Sequence, residues 1–177
     1  MSEAHLISRV LAGDRMAGRE LYDAHAPRVF RLAYRMTRDE EVARECTQDT
    51  FVLAFRRLSG FRGEAALSTW VHRIAVFVIL QTLRTSRRRA ERYVDLEEAE
   101  TVHATDHQTD PDLKECLQRE LDALPEIYRT TLILHDLEGY AHSAIAELLE
   151  IPEGTSTTRL SCARAKLRNA LIAFREE

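Results

Sequence analysis

Apolar residues along this chain recur every three to four positions, and no stretch alternates apolar with polar over a strand's length between turn signals. The pattern predicts helix almost throughout. Leu6, Ile7, Val10 and Leu11 mark a first helix, with Ser2 as its cap and Gly13 as its stop. Asp14 is placed to cap a second, with Met16, Leu21 and Tyr22 turned inward. Pro27 either kinks that helix or starts another through Val29, Phe30, Ala33 and Tyr34. Thr37 and Glu40 fit a capping box that opens a long helix to Leu58, stopped by Gly60.

The stretch Phe61–Ala75, FRGEAALSTWVHRIA, is the most informative one in the chain. Gly60 and Gly63 bracket a short loop, and from Ala65 the positions Ala66, Trp70, Ile74 and Phe77 recur at helical spacing, widened by Val71, Val78 and Leu83. The continuation sets Arg84, Arg88 and Arg92 one turn apart, flanked by Arg87 and Arg89. Residues 95–110, DLEEAETVHATDHQTD, hold few large apolar residues and many acids, and predict a flexible acidic linker. Pro111 opens a second helical set with turns at Pro125, Gly139 and Ile151–Gly154. There a helix through Ile127, Leu132, Ile133 and Leu134 precedes a short one from His142 to Glu150, which buries Ile145, Ala146, Leu148 and Leu149. A longer helix follows with Leu160, Ala163, Leu167, Leu171 and Phe174 on one face. Short helix, tight turn and longer amphipathic helix compose a helix-turn-helix. The expected architecture is all-α, with helical domains at 1–94 and 111–177 joined by the linker.

Charge sharpens the division. The net charge of −4 conceals 17 basic and 11 acidic side chains in residues 1–94, a net of +6, while residues 95–122 carry −8 and residues 123–177 carry −2. Polyanion binding is therefore expected of the first domain, and more weakly of the last. Cys46, Cys116 and Cys162 are too far apart for a disulfide framework or a zinc motif. The opening MSEAHLISRVLAGD lacks a secretion signal's apolar run, and no segment is apolar enough to span a bilayer, so a reducing cytoplasm is expected.

A glycine-bracketed loop, an aromatic at a helix start and a cationic far end are the parts needed to grip a DNA backbone and seize an unstacked base. Phe61, Arg62, Gly63, Glu64, Ala65, Leu67, Thr69, Trp70, Val71, Arg73, Ile74 and Ala75 resemble the promoter-melting segment of extracytoplasmic-function sigma factors of bacterial RNA polymerase. That resemblance implies a downstream-promoter and melting role for Phe61–Ala65, Trp70, Arg73, Arg84, Arg87 and Arg88. A second segment resembles the domain of the same family that reads the upstream promoter element, through Leu124, Pro125, Arg129, Leu134, Glu138, Gly139, Ile145–Glu147, Leu149, Ile151, Pro152, Gly154, Thr155, Arg159, Leu160, Ala163 and Arg164. It implies base reading from Thr155, Thr157, Thr158, Arg159, Ser161, Cys162 and Arg164.

Glu45, Gln48 and Asp49 share one face at i, i+3, i+4 spacing, a solvated stripe by pattern alone. Their segment resembles the sigma helix that docks on the clamp coiled coil of the polymerase largest subunit. The resemblance further implies core polymerase, promoter DNA and an anti-sigma factor as partners, and no cofactor. Four positions depart from the family pattern: Phe77 stands for a frequent asparagine, Glu150 for a turn glycine, and Thr157 and Cys162 for basic residues. His135–Asp136 could open a metal-dependent phosphohydrolase site, but further ligands at matching spacing are missing. His103 and His107 are two potential ligands without a third. No phosphate loop or nucleophile–base pair points to catalysis. A stand-alone helix-turn-helix regulator and a sigma-like decoy that captures an anti-sigma factor are the competing functions.

Overall fold

In a computed structural model, residues 3–93 and 113–176 are described, and among them all regular structure is helical. The elements are α1 (Glu3–Leu11), α2 (Arg15–Thr37), α3 (Glu40–Arg57), α4 (Leu67–Tyr93), α5 (Leu113–Ala123), α6 (Glu126–Leu132), α7 (His142–Leu149) and α8 (Glu153–Glu176). Two compact units divide within α4, one ending at Leu83 and the other beginning at Arg84. The expected Ser2 cap, the acidic linker, His103 and His107 lie outside the described residues, as does the side chain of Phe174.

Helix ends in the first unit follow short-range chemistry. Asp14 caps α2 by accepting from the Met16 and Ala17 amides at 2.9 and 3.2 Å. Arg9 closes on the same carboxylate at 2.7 Å and holds it below the usual carboxylate range, with the Ala17 amide reinforcing it. Pro27 neither splits α2 nor starts a new helix: α2 runs unbroken through it. The missing amide costs one bond within a helix of 23 residues, and the flanking Ala26 and Val29 are buried. The expected capping box is not formed. Arg38 adopts a left-handed φ of 60° to end α2, so the chain re-enters helix one step later. Asp39, not Thr37, then caps α3, accepting from the Glu41 and Val42 amides at 2.8 and 3.0 Å.

The first core joins Leu21, Val29, Leu32 and Met36 of α2 to Cys46, Thr50, Phe51 and Ala54 of α3, and to Leu67, Val71, Ala75, Val78 and Ile79 of α4. Burying a side chain of this size contributes about 1.5–3 kcal/mol, so the α4 face alone is a principal source of cohesion. Thr82 of α4 meets the Cys46 thiol at 3.5 Å, and burial pushes that thiol up from its ordinary value. Two expected core residues are not in it. Met16 is 73% exposed in the first turn of α2, and Tyr22 is 37% exposed although its ring leans on Phe51 at 4.6 Å.

In the second unit Leu121, Leu124, Leu132, Leu160 and Ala163 form the core, with Tyr128 and Leu167 packed against it. Arg129 is the unexpected member. It is 8% exposed and donates to the carbonyls of Asp122 and Leu124, at 3.2 and 2.6 Å, fastening the α5–α6 turn. α6 widens after Leu132 into a π-helical turn, Ile133–Leu137, closed by Gly139 at φ 75°. Pattern reading missed the turn because one inserted residue barely disturbs apolar spacing. Replacing Arg129 by alanine removes the charged donor shared by the Asp122 and Leu124 carbonyls. Thermal or urea unfolding of Arg129→Ala should show a loss of about 2–4 kcal/mol in the second unit.

Candidate nucleic-acid and polymerase interfaces

α4 begins at Leu67 rather than Ala65, because the Thr69 and Trp70 amides turn back to the Ala66 carbonyl at 3.0 and 3.1 Å. The Leu67 amide donates to the Glu3 carboxylate of α1 at 3.2 Å, across 64 positions of sequence. A carboxylate at a helix N-terminus satisfies an otherwise orphaned donor and complements the helix dipole. Periodicity could not find this partner, since it comes from another element.

The expected apolar stripe on α4 is partly buried. Ile74 and the widening positions Val71, Val78 and Leu83 are buried, but Ala66 and Phe77 are exposed and Trp70 is only half-buried; Leu67 and Ala75 complete the buried face. In a helix with apolar residues on more than one face, spacing alone fits two registers. Trp70 receives Phe61 edge-to-face, with ring centroids 5.4 Å apart at 61°. The Phe61 amide, donating to the Leu58 carbonyl at 3.1 Å, fixes the same end of the loop, and the far end runs into the Ala66 carbonyl at the start of α4. Between the two ends Arg62 and Glu64 project into solvent, 83% and 79% exposed, on either side of Gly63 at φ 72°. Ala65 is half-buried and Arg73 is exposed. The result is a tethered loop with an open, polar crest.

Farther along α4, Arg87, Arg88 and Arg89 are exposed. Arg84 is half-buried and pairs with Glu150 at 3.1 Å inside the second unit. On α3, Glu45, Gln48 and Asp49 are all exposed on one face. Gln48 borders an open groove of about 510 Å³ between α2 and α3, lined also by Tyr22, Asp23, Pro27, Phe30 and Arg44.

The helix-turn-helix is tighter than its turn residues suggested. Gly154 lies inside α8, and the left-handed position falls on Glu150, φ 56°, where the chain departs from the family's glycine. Holding a non-glycine residue there costs about 1 kcal/mol. Of the expected α7 core residues, Ile145 is fully buried and Ala146, Leu148 and Leu149 are half-buried. α8 presents Thr157, Thr158 and Ser161 to solvent, with Thr155, Arg159 and Cys162 half-buried. Thr157 and Thr158, both exposed, donate back to the carbonyls of Glu153 and Gly154 at 3.3 and 2.9 Å, which occupies their hydroxyl protons.

Arg164 is exposed yet engaged. Its Nε and Nη2 take both oxygens of Asp136 at 3.0 and 2.5 Å, and His135 meets the same carboxylate at 2.7 Å. His135 in turn stacks on His142 at 4.6 Å, and His142 bonds the buried Ser156 hydroxyl at 2.9 Å. This chain of contacts ties α8 to the π turn and to α7. Asp136 thus spends both oxygens on protein donors.

The geometry is that of a helix-turn-helix in one unit, and in the other a tethered, polar-crested loop followed by a helix that exposes Arg73. The description of Sigma-70 region 2 matches residues 21–89, and that of Sigma-70 region 4 matches residues 114–167. The chain is 35% identical over 170 residues to the ECF RNA polymerase sigma factor SigM of Mycobacterium tuberculosis strain ATCC 25618 / H37Rv, covering 96% of this chain and 85% of that one. It is 31% identical over 182 residues to the ECF RNA polymerase sigma-E factor of Haemophilus influenzae, covering 97% and 96%. The fold is similar to that of the sigma factor RpoE from Bartonella quintana, solved with the anti-sigma factor NepR, at a TM-score of 0.58 and 21% identity over 82% of this chain and 91% of that one. This chain belongs to the sigma-70 family, in its extracytoplasmic-function group.

The Arg164 hydrogen bonds, foremost, hold the Asp136 carboxyl below its ordinary value of 3.8. A lowered carboxylate contributes stability above its unfolded value and loses it as pH falls through the folded one. Acid titration of folding should therefore show a loss below about pH 4 that is smaller in Asp136→Asn, followed by circular dichroism of the second unit's unfolding step.

Proposed function

We infer that this chain is an alternative sigma factor that binds core RNA polymerase, recognises promoter DNA and initiates transcription, held inactive by an anti-sigma factor until released. The observation that carries this reading is the similarity to sigma factors along nearly the whole chain, both units included. A stand-alone regulator would need only the helix-turn-helix. The anti-sigma assignment draws on the likeness to a sigma factor solved with such a partner. The chain itself carries no catalysis in this reading and works in the cytoplasm, with the anti-sigma factor able to hold it at a membrane. Among the described residues no helix is long and apolar enough to cross one itself.

The roles divide by unit. Residues 1–94 dock on the polymerase and melt the downstream element, and residues 111–177 read the upstream element. Glu45, Gln48 and Asp49 meet the clamp coiled coil of the largest subunit. The Phe61–Ala65 loop, braced by Trp70, receives a flipped base, while Arg73, Arg87 and Arg88 neutralise phosphates. Arg84 joins them by exchanging its Glu150 pairing for a phosphate. Thr155, Thr157, Thr158, Arg159, Ser161, Cys162 and Arg164 face the major groove. With their protons given to backbone carbonyls, the exposed threonines suit amino donors on cytosine or adenine and the thymine methyl, rather than the fork that arginine offers guanine.

Two experiments test these roles. Asp49→Arg should weaken core binding by about 2–5 kcal/mol without loss of helix content; undiminished co-purification with core polymerase removes the clamp assignment. Extruding a base costs a few kcal/mol that the loop must return. A Gly-Ser segment in place of Phe61–Ala65 should therefore abolish permanganate-reactive thymines in the open complex while sparing binding to the upstream element. Identical reactivity in the loop-swapped protein places the melting specificity elsewhere.

A further inference from the structure

α1 stands apart from the core it borders. None of its residues is fully buried, and its apolar positions Leu6, Ile7 and Val10 are only half-covered. Polar ties hold it instead. Arg9 pairs with Asp14 and Glu20 at 2.7 and 3.3 Å, and Glu3 accepts from the Leu67 amide at 3.2 Å. What α1 touches is distinctive. It lies against the turn Leu58–Gly60, from which the Phe61–Ala65 loop departs, and through Glu3 it reaches the helix start into which that loop runs. Both ends of the loop therefore meet one helix. Little else fixes the loop: Phe61 leans on Trp70, Arg62, Gly63 and Glu64 are exposed, and a Cβ at Gly63 would meet nothing within 4 Å. A segment with so few buried contacts opens locally at small cost, so its shape follows that of its ends.

We propose that Glu3 is a positioning residue for promoter melting: by capping α4 from α1 it fixes where the Phe61–Ala65 loop ends, and so holds the loop in shape for an unpaired base. The inference rests on the melting role given to that loop and adds the residue that sets its geometry. Glu3 itself touches no DNA. Its carboxylate satisfies the Leu67 amide and complements the dipole of α4. Without it the first turn of α4 frays and lengthens the loop. A longer loop samples more conformations and loses more entropy on seizing a base, so melting weakens although every base-contacting group is still present.

Holoenzyme assembled with core polymerase is titrated with a fluorescent fork-junction DNA, whose single-stranded tail the wild-type holoenzyme has selected from a randomised pool. Glu3→Ala should weaken fork binding by about 2- to 30-fold, the range for loss of an acceptor at a helix N-terminus. Glu3→Gln keeps an acceptor oxygen at the same reach and should restore most of it. Helix content and affinity for core polymerase should be unaltered in both variants. A double-mutant cycle with the Gly-Ser loop supplies the readout that a merely structural role would not move. The loop-swapped holoenzyme keeps its phosphate contacts, so a further loss stays measurable at low salt, and Glu3→Ala should add none there. An equal loss in both backgrounds, a matching loss of core affinity, or a glutamine variant as weak as alanine overturns the positioning role. Undiminished fork binding by Glu3→Ala, where the loop swap does weaken it, overturns that role and leaves the melting role standing. A loop swap without effect on the fork removes the melting role, and the positioning role with it.

Discussion

The rotational setting of α4 is the constraint on which the first unit depends. Once Leu67, Val71, Ala75, Val78 and Ile79 are buried against α2 and α3, helical geometry leaves Arg73 and Phe77 no orientation but outward. Trp70, on the margin, is half inside and supports Phe61. The same burial that stabilises the unit therefore leaves Arg73 and Phe77 on the outward face of α4 and sets the Phe61–Ala65 loop at its N-terminal end. Glu3 extends this economy, since one carboxylate satisfies the start of α4 and ties α1 to it.

The second unit uses polar ties for a similar purpose. Arg129 fastens the α5–α6 turn through backbone carbonyls, which makes it a structural cation although it lies in a DNA-binding domain. The Arg164–Asp136–His135 contacts, continued by His142 and Ser156, link α8 to the π turn and to α7. A helix held at several points along its inner side presents its outer residues at a defined depth. Orientation of α8 thus rests on a hydrogen-bonded chain as well as on Leu160 and Ala163 in the core.

Departures from the family pattern acquire distinct meanings. Glu150 occupies a left-handed turn that glycine would fill without strain, so the change bears on stability and turn stiffness. Where the family pattern has basic residues, α8 carries exposed Thr157 and half-buried Cys162, small polar and apolar groups in place of charge.

Helices, their approximate bounds, the helix-turn-helix and the functional class were legible in the chain, because apolar spacing, capping residues and long ungapped motifs are local properties of sequence. Asp14 as a cap and the exposed face of Glu45, Gln48 and Asp49 could be read for that reason. The register of α4 could not. Residues 66–83 are apolar on several sides, and only packing against α2 and α3 decides which side loses contact with water. Met16 and Tyr22 were misjudged on the same ground, since hydrophobicity states a preference while neighbouring elements determine whether it is met. The Glu3–Leu67 cap and the Arg164–Asp136 fork join residues 64 and 28 positions apart. Sequence supplies the donors and acceptors, but only the tertiary structure brings them within hydrogen-bonding distance.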